Sequence, residues 1–340
     1  MSFAPGQRRT IGRTGLAVSQ LGFGAAPFGN LLADVPDHAT RAAVDAALAA
    51  GINYFDTAPF YGHGLSEHRL GEALRGHARE RYVVSTKVGR LLRPQLQHSR
   101  SLGPFSTTLP FDIVYDYSYD GAMRSIEDSL QRLGMARIDI VYIHDMTPKW
   151  QGDLLEQRYV QSMAGAYKAL AELRAAGTIG AIGVGINDVG ILERYASDGD
   201  FDCFMLAGRY TLLDTSALGA LLPICERKRI SIVLAAPYNS GILASGAVPG
   251  AVYWYAPAPP DILARVGRIE TLCKRHGISL QAAATQFPLA HPAIASVAAG
   301  YRSPTEVATA LAACSAIVPA EFWKELRADG LVGSDAPLPN

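Results

Sequence analysis

Four polar residues in the first half of the chain stand where apolar runs end. Asp56 closes "INYFD", Tyr61 follows in "TAPFYGHG", Lys87 closes "VVSTK" and His144 closes "IVYIH". A carboxylate, a phenol, an ammonium and an imidazole are the side chains that move protons in enzymes. Each alone has an ordinary reading. Asp56 caps a turn, with Thr57 sharing that duty; Tyr61 is a loop tyrosine; Lys87 snorkels to solvent; His144 bonds core backbone. Four such groups at neighbouring strand ends resist that reading, because burying an unpaired charge is costly. Jointly they read as an acid–base site.

The elements that must position them follow from periodicity. Eight short runs read as strands: "LGFGA", "INYFDTA", "YVVSTKV", "IDIVYIHD", "IGAIGVGIN", "FDCFMLAG", "ISIVLAAP" and "IASVAAG". Most are apolar throughout, as parallel strands covered on both faces are. Helical patterns lie between them, including 40–50, 119–133, 163–176, 216–228 and 261–276. Eight strand–helix repeats without a linker predict one α/β domain over residues 1–340, a closed (β/α)8 TIM barrel. "RRTIGRTGLAVSQ" predicts an N-terminal β-hairpin ahead of the first barrel strand. In such a barrel the site lies at the C-terminal ends of the strands, where the four residues fall. A doubly wound nucleotide-binding sheet is rejected. "GFGAAPFG" and "GVGINDVG" carry Pro27 and Asp188 where that fold's phosphate loop needs its third glycine.

Composition narrows the function. A hydrophobic fraction of 49%, a charged fraction of 18% and a formal net charge of +0 describe a well-cored chain. With no basic run, neither nucleic acid nor an anionic membrane is expected as a partner. The opening "MSFAPGQRRTIGRTG" lacks the apolar core of a signal peptide, and no run approaches a membrane span. Cys203, Cys225, Cys273 and Cys314 are widely spaced, which suits reduced thiols in a cytoplasmic protein. No metal-ligand cluster is evident; His63 and His68 flank a turn and read as solvated. Nothing in the sequence specifies an oligomeric state.

"FDTAPFYGHGLSEHRLGEAL", "STKVG", "RLGMARIDIVYIHD" and "AIGVGIN" together resemble the aldo-keto reductase superfamily over essentially the whole chain. "LAGRYTLLD", "YNSGILASG" and "YAPAPPDILARV" resemble its bacterial branch of D-threo-aldose (L-fucose) 1-dehydrogenases and pyridoxal 4-dehydrogenase. The resemblance implies a nicotinamide cofactor bound without a Rossmann fold, and a catalytic tetrad of Asp56, Tyr61, Lys87 and His144. In that tetrad Tyr61 exchanges the proton, Lys87 favours its phenolate, Asp56 holds Lys87 and His144 orients the substrate oxygen.

The resemblance also implies cofactor contacts. Asn187 would hold the nicotinamide carboxamide, and the loop with Asn239, Ser240, Gly241, Ile242 and Leu243 would cover the pyrophosphate. Gly300, Arg302, Ser303 and Glu306 would meet the adenosine. Residues 303–306 read equally as a capped helix with Pro304 in its first turn. The chain departs from the family at Ala207, where Gln is common, and at Ala235, where an aromatic is common. Tyr238 or Tyr210 is then expected to replace the nicotinamide platform. The long segment 91–118 and the aromatics Phe60, Trp150 and Trp254 suggest a cavity for a flat ring or a sugar face. Arg209 either touches substrate there or pairs on the surface.

These features predict NAD-dependent oxidation, with NADP tolerated, of a cyclic hemiacetal to its lactone. The substrate is either an aldose at C1 or pyridoxal. An NADPH-dependent carbonyl reductase is the alternative enzyme, and a cofactor-sensing subunit of a larger assembly the alternative outside catalysis.

Overall fold

The computed structural model describes residues 3–96 and 103–339. Among them, eight parallel strands close a barrel in chain order. They are β1 (Leu21–Gly24), β2 (Tyr54–Asp56), β3 (Val83–Val88), β4 (Ile140–His144), β5 (Ala181–Ile186), β6 (Cys203–Ala207), β7 (Ser231–Ala235) and β8 (Ile294–Gly300). The expected hairpin, Arg8–Thr10 against Ala17–Ser19, precedes them. No single helix among the described residues is long and apolar enough to cross a membrane.

Side chains alternate across each strand, which divides the interior in two. Phe55, Val84, Val141 and Ile143 point outward and pack with the helices in the larger apolar core. Tyr54, Val83, Ile140 and Tyr142 point inward and fill the barrel. The same two-residue period carries Asp56, Lys87 and His144 to the last inward positions of β2, β3 and β4. Register sets them side by side, with Asp56 opposite Ser85 and Lys87 opposite Tyr142. The sequence's polar strand ends thus become one barrel mouth.

Three segments differ from expectation. Much of 91–118 is ordered as an antiparallel ribbon, Arg90–Pro94 against Phe111–Tyr115; its residues 97–102 lie outside the described residues. The helical pattern at 163–176 is broken, with one helix ending at Ala164 and the next spanning Ala166–Ala175. Gly165 is the reason: a Cβ there would lie 2.6 Å from the Tyr119 nitrogen, so the chain passes too close for a side chain. The segment after β7 forms a second small hairpin, Val252–Tyr253 against Ala256–Pro257. Its two-residue tip, Trp254 and Tyr255, has φ of 52° and 61°, a tight-turn conformation that usually selects glycine or asparagine.

Candidate active site

Asp56 and Lys87 form an ion pair of 2.6 Å with side chains 4% and 1% exposed. The second carboxylate oxygen of Asp56 accepts from Ser85 Oγ at 2.6 Å, and Lys87 Nζ also donates to the Thr57 carbonyl at 2.7 Å. Below them Ser85 Oγ meets Tyr54 Oη at 2.8 Å, which in turn meets Tyr142 Oη at 3.1 Å. This column of hydroxyls fixes the carboxylate from inside the barrel. Lys87 Nζ lies 4.7 Å from the Tyr61 ring centroid, and that ring stands edge-on to His144 at 6.0 Å. Tyr61, Lys87 and His144 line a cavity of about 290 Å³, while Asp56 stands behind Lys87. That volume is of the order of a small-molecule site.

The backbone at Tyr61 is set by a contact between glycines. A Cβ on Gly29 would fall 2.4 Å from the Tyr61 carbonyl carbon and 2.5 Å from the Gly62 nitrogen. Gly62 returns the contact from a φ of 62°, its own Cβ position lying 2.6 Å from the Gly29 Cα. Gly29→Ala should therefore force Tyr61 away from Lys87 and destabilise the chain by about 1–3 kcal/mol. A urea midpoint and kcat both equal to those of the parent would show that this contact yields freely.

Burial dominates the protonation states. It pushes Asp56 up and Lys87 down, and the charge of each opposes the other's shift. Burial first, and then the Asp56 and Asp145 carboxylates, push the Tyr61 phenol well above its ordinary value. Burial and the carboxylates thus hold Tyr61 here as a proton donor, even with the Lys87 ammonium over its ring face. Burial, helped by the charges of Arg90 and Lys87, holds the His144 imidazole well below its usual range, and neutral. A neutral imidazole offers an N–H to an oxygen without adding charge.

Two charged neighbours escaped the sequence reading. Arg90, just past β3, is paired with Asp145, just past His144, at 2.8 Å. Both satisfy the criterion that singled out Lys87 and His144, a charge at a strand's C-terminal end. Tyr117 also supports the site, donating to the His144 carbonyl at 2.7 Å. His63 is a correction: it is 5% exposed, not solvated. Its Nδ1–H donates to the Phe111 carbonyl at 2.5 Å, and its ring lies against Phe60 and Phe105. His68 is exposed.

The cofactor candidates divide into two places. Asn187, Asn239 and Ser240 line the cavity. Asn239, Ser240 and Gly241 adopt φ of 45°, 63° and 106° in succession, and nothing lies within 4 Å of a Cβ position on Gly241. The buried Oδ1 of Asn239 has no hydrogen-bond partner. An open, left-handed run beside an orphaned acceptor fits a polar cofactor group. Leu243 is different: its side chain is fully buried and its amide donates to the Tyr238 carbonyl, as does that of Gly241. Gly300, Arg302, Ser303 and Glu306 lie beyond the cavity lining. Ser303 Oγ accepts from the Glu306 amide at 3.3 Å and Glu306 accepts from the Arg302 amide at 2.7 Å, which caps helix Pro304–Ser315.

Neither tyrosine expected to replace the missing platform lines the cavity. Tyr210 is fully buried against Phe287 and His291, and the Tyr238 hydroxyl meets Thr285 Oγ1 at 3.0 Å. Trp254 and Tyr255 line the same cavity as Ala207 and Ala235. Among the substrate candidates, Phe60, Trp150 and Trp254 line the cavity. Arg209 stands behind it, 4.2 Å from the Trp254 ring centroid. It donates to the Asn187 carbonyl at 2.9 Å and pairs with Asp214 at 2.9 Å.

Residues 20–329 match the Aldo/keto reductase family, and the chain belongs to that family. It is thus an NAD(P)-dependent oxidoreductase. It is 41% identical to pyridoxal 4-dehydrogenase of Microbacterium luteolum, over 98% of this chain and 100% of that one. It is 39% identical to D-threo-aldose 1-dehydrogenase of a Pseudomonas species, over 94% and 96%. Among solved structures, an aldo-keto reductase from Bacillus halodurans in its holo form superposes with a TM-score of 0.75 at 25% identity, covering 97% of both chains.

Proposed function

We propose that the enzyme oxidises a cyclic hemiacetal, an aldose at C1 or pyridoxal, to the lactone. The observation that carries this reading is the composition of the cavity. Phe60, Phe105, Trp150 and Trp254 surround Tyr61, Lys87 and His144, and aromatic faces suit a ring more than a small open-chain aldehyde. Full-length likeness to two dehydrogenases named for pyridoxal and for aldoses supports it. Asn187 and the loop at Asn239 and Ser240 would hold a nicotinamide, which would accept the hydride. His144 orients the hemiacetal hydroxyl, and Tyr61 in its phenolate form takes that proton. The carbon that loses hydride becomes the carbonyl carbon while the ring oxygen stays bonded. No water enters, so the first product is a lactone and not an acid.

A second reading has its own observation. The phenol held in its protonated form suits donation to a carbonyl, which is the reductive direction of the same chemistry.

We assign NAD as the preferred cofactor. The Glu306 carboxylate lies 3.6 Å from Arg302 Nη1, and Arg302 Nη2 is bound to the Leu31 carbonyl at 3.2 Å. That guanidinium keeps an unpartnered Nε, but it lies beside an acid that repels a 2′-phosphate.

One screen tests both assignments. L-fucose, D-arabinose, L-galactose and pyridoxal are offered with NAD and NADP separately, and products are followed by rapid quench and infrared carbonyl absorption. Lactone before acid, with a higher kcat/KM for NAD, is expected. Acid from the earliest times would remove the hemiacetal mechanism. A large NADP preference that disappears in Arg302→Ala would reverse the cofactor assignment.

A further inference from the structure

Arg90 is 1% exposed, yet its Nε and Nη1 have no hydrogen-bond partner. Its charge rests instead on aromatic faces, with Cζ 3.9 Å from the Phe60 centroid and 4.7 Å from that of Trp150. Its Nη2 pairs with Asp145 at 2.8 Å and reaches Tyr115 Oη at 3.5 Å. Burying an ion pair under two rings costs desolvation that mutual attraction offsets only in part, and apolar side chains of similar volume would hold the fold as well. The pair therefore asks for a role other than stability.

The position of Asp145 supplies one. It follows His144 directly and adopts a φ of 49°, a left-handed conformation that aspartate tolerates better than most residues and that its surroundings hold here. Those surroundings are specific. The Asp145 amide donates to the Gly185 carbonyl at 3.1 Å, and its own carbonyl accepts from the Thr147 amide at 2.9 Å and from Gln151 Nε2 at 2.8 Å. The carboxylate so held lines the cavity, with Oδ2 3.5 Å from His144 Nε2. A negatively charged acceptor thus stands next to the imidazole that orients the reacting oxygen.

We propose that Asp145, aimed by Arg90, accepts a hydrogen bond from a second hydroxyl of the substrate, borne on a carbon one or two bonds from the one that gives up hydride. In an aldose this is the hydroxyl on C2; in pyridoxal it is the ring hydroxyl beside the reacting arm. The proposal rests on the hemiacetal reading above and refines it. The enzyme selects hemiacetals with a neighbouring hydroxyl and rejects those without one. Asp145 is then a binding residue, and Arg90 a positioning residue that acts through it.

The test pairs each substrate with its deoxy analogue: L-fucose with 2-deoxy-L-fucose, and pyridoxal with 3-deoxypyridoxal. The parent enzyme should lose about 10- to 100-fold in kcat/KM on the deoxy member of the pair it oxidises, the scale of a hydrogen bond to a charged group. This measurement needs no variant to fold. Asp145→Ala also strands the Arg90 charge and removes a carboxylate from beside Tyr61, so it should slow both substrates, but the hydroxylated one by about 10- to 100-fold more, and the discrimination between the two collapses. Arg90→Met, which keeps bulk against the rings, should lower the same ratio. Equal losses on both substrates in Asp145→Ala would assign the pair a purely structural role and overturn the inference. So would a parent enzyme indifferent to the missing hydroxyl. Turnover of none of L-fucose, D-arabinose, L-galactose and pyridoxal would instead remove the hemiacetal reading, and this inference with it.

Discussion

Tyr61→Phe is expected to bind NADH as tightly as the parent and to turn over about 10²- to 10⁴-fold more slowly. The substitution removes one oxygen and leaves the ring. That ring keeps its place under Lys87, at 4.7 Å, and its contacts with Phe60 and His144 at 6.5 and 6.0 Å. Burial and two carboxylates keep the parent phenol protonated above its ordinary range. Oxidation needs the phenolate, so the parent rate should climb with pH into the alkaline region. The variant has no group to lose that proton, and its profile should be flat there. Fluorescence titration of NADH reads the binding, and initial rates across pH read the rest. A variant with near-parental kcat, or with the same alkaline rise, would take Tyr61 out of the proton step.

The barrel and the places of Asp56, Lys87 and His144 were legible because one period governs both. Apolar runs marked the strands, and the last inward position of three neighbouring runs carried a polar side chain. Asp56, Lys87 and His144 needed only that count. Arg90 and Asp145 met the same test, but a carboxylate one step past a histidine also reads as the start of a turn. Their pairing spans two loops, across Arg90–Asp145 at 2.8 Å, and no local pattern reports it.

Other residues were hidden by partners remote in sequence. His63 lies in a polar turn and looks solvated until Phe105 and the Phe111 carbonyl, from the ribbon after β3, cover it. Tyr210 and Tyr238 lie near the mouth along the chain, yet helix Leu280–Leu289 draws both away through Phe287 and Thr285. The ribbon itself gave little warning. Strand pairing depends on register between segments, and Phe111–Tyr115 acquires its role only by lying opposite Arg90–Pro94.

Lys87→Met should lower kcat by about 10²- to 10³-fold, the usual loss on removing one preorganised electrostatic group, and move the alkaline rise for oxidation to higher pH. The sign follows from charge. An ammonium 4.7 Å from the phenol ring favours phenolate, and its loss leaves Asp56 and Asp145 to oppose ionisation. The same change strands the Asp56 carboxylate, which keeps Ser85 Oγ but loses its partner at 2.6 Å. Breaking a buried pair from one side costs about 3–5 kcal/mol, so a fall in kcat alone could reflect a loosened barrel. Asp56→Asn combined with Lys87→Met separates the two effects, because the amide removes the stranded charge. The double variant should recover most of the lost stability in urea and none of the lost rate. Recovery of rate along with stability would make Lys87 a structural counter-ion and no more. Lys87 could instead act by forming a Schiff base with the substrate carbonyl. The Asp56 carboxylate at 2.6 Å opposes this by favouring the ammonium, which carries no free electron pair for attack. Borohydride therefore should trap no substrate on the parent enzyme; a covalent adduct on Lys87 would replace the electrostatic role with a covalent one.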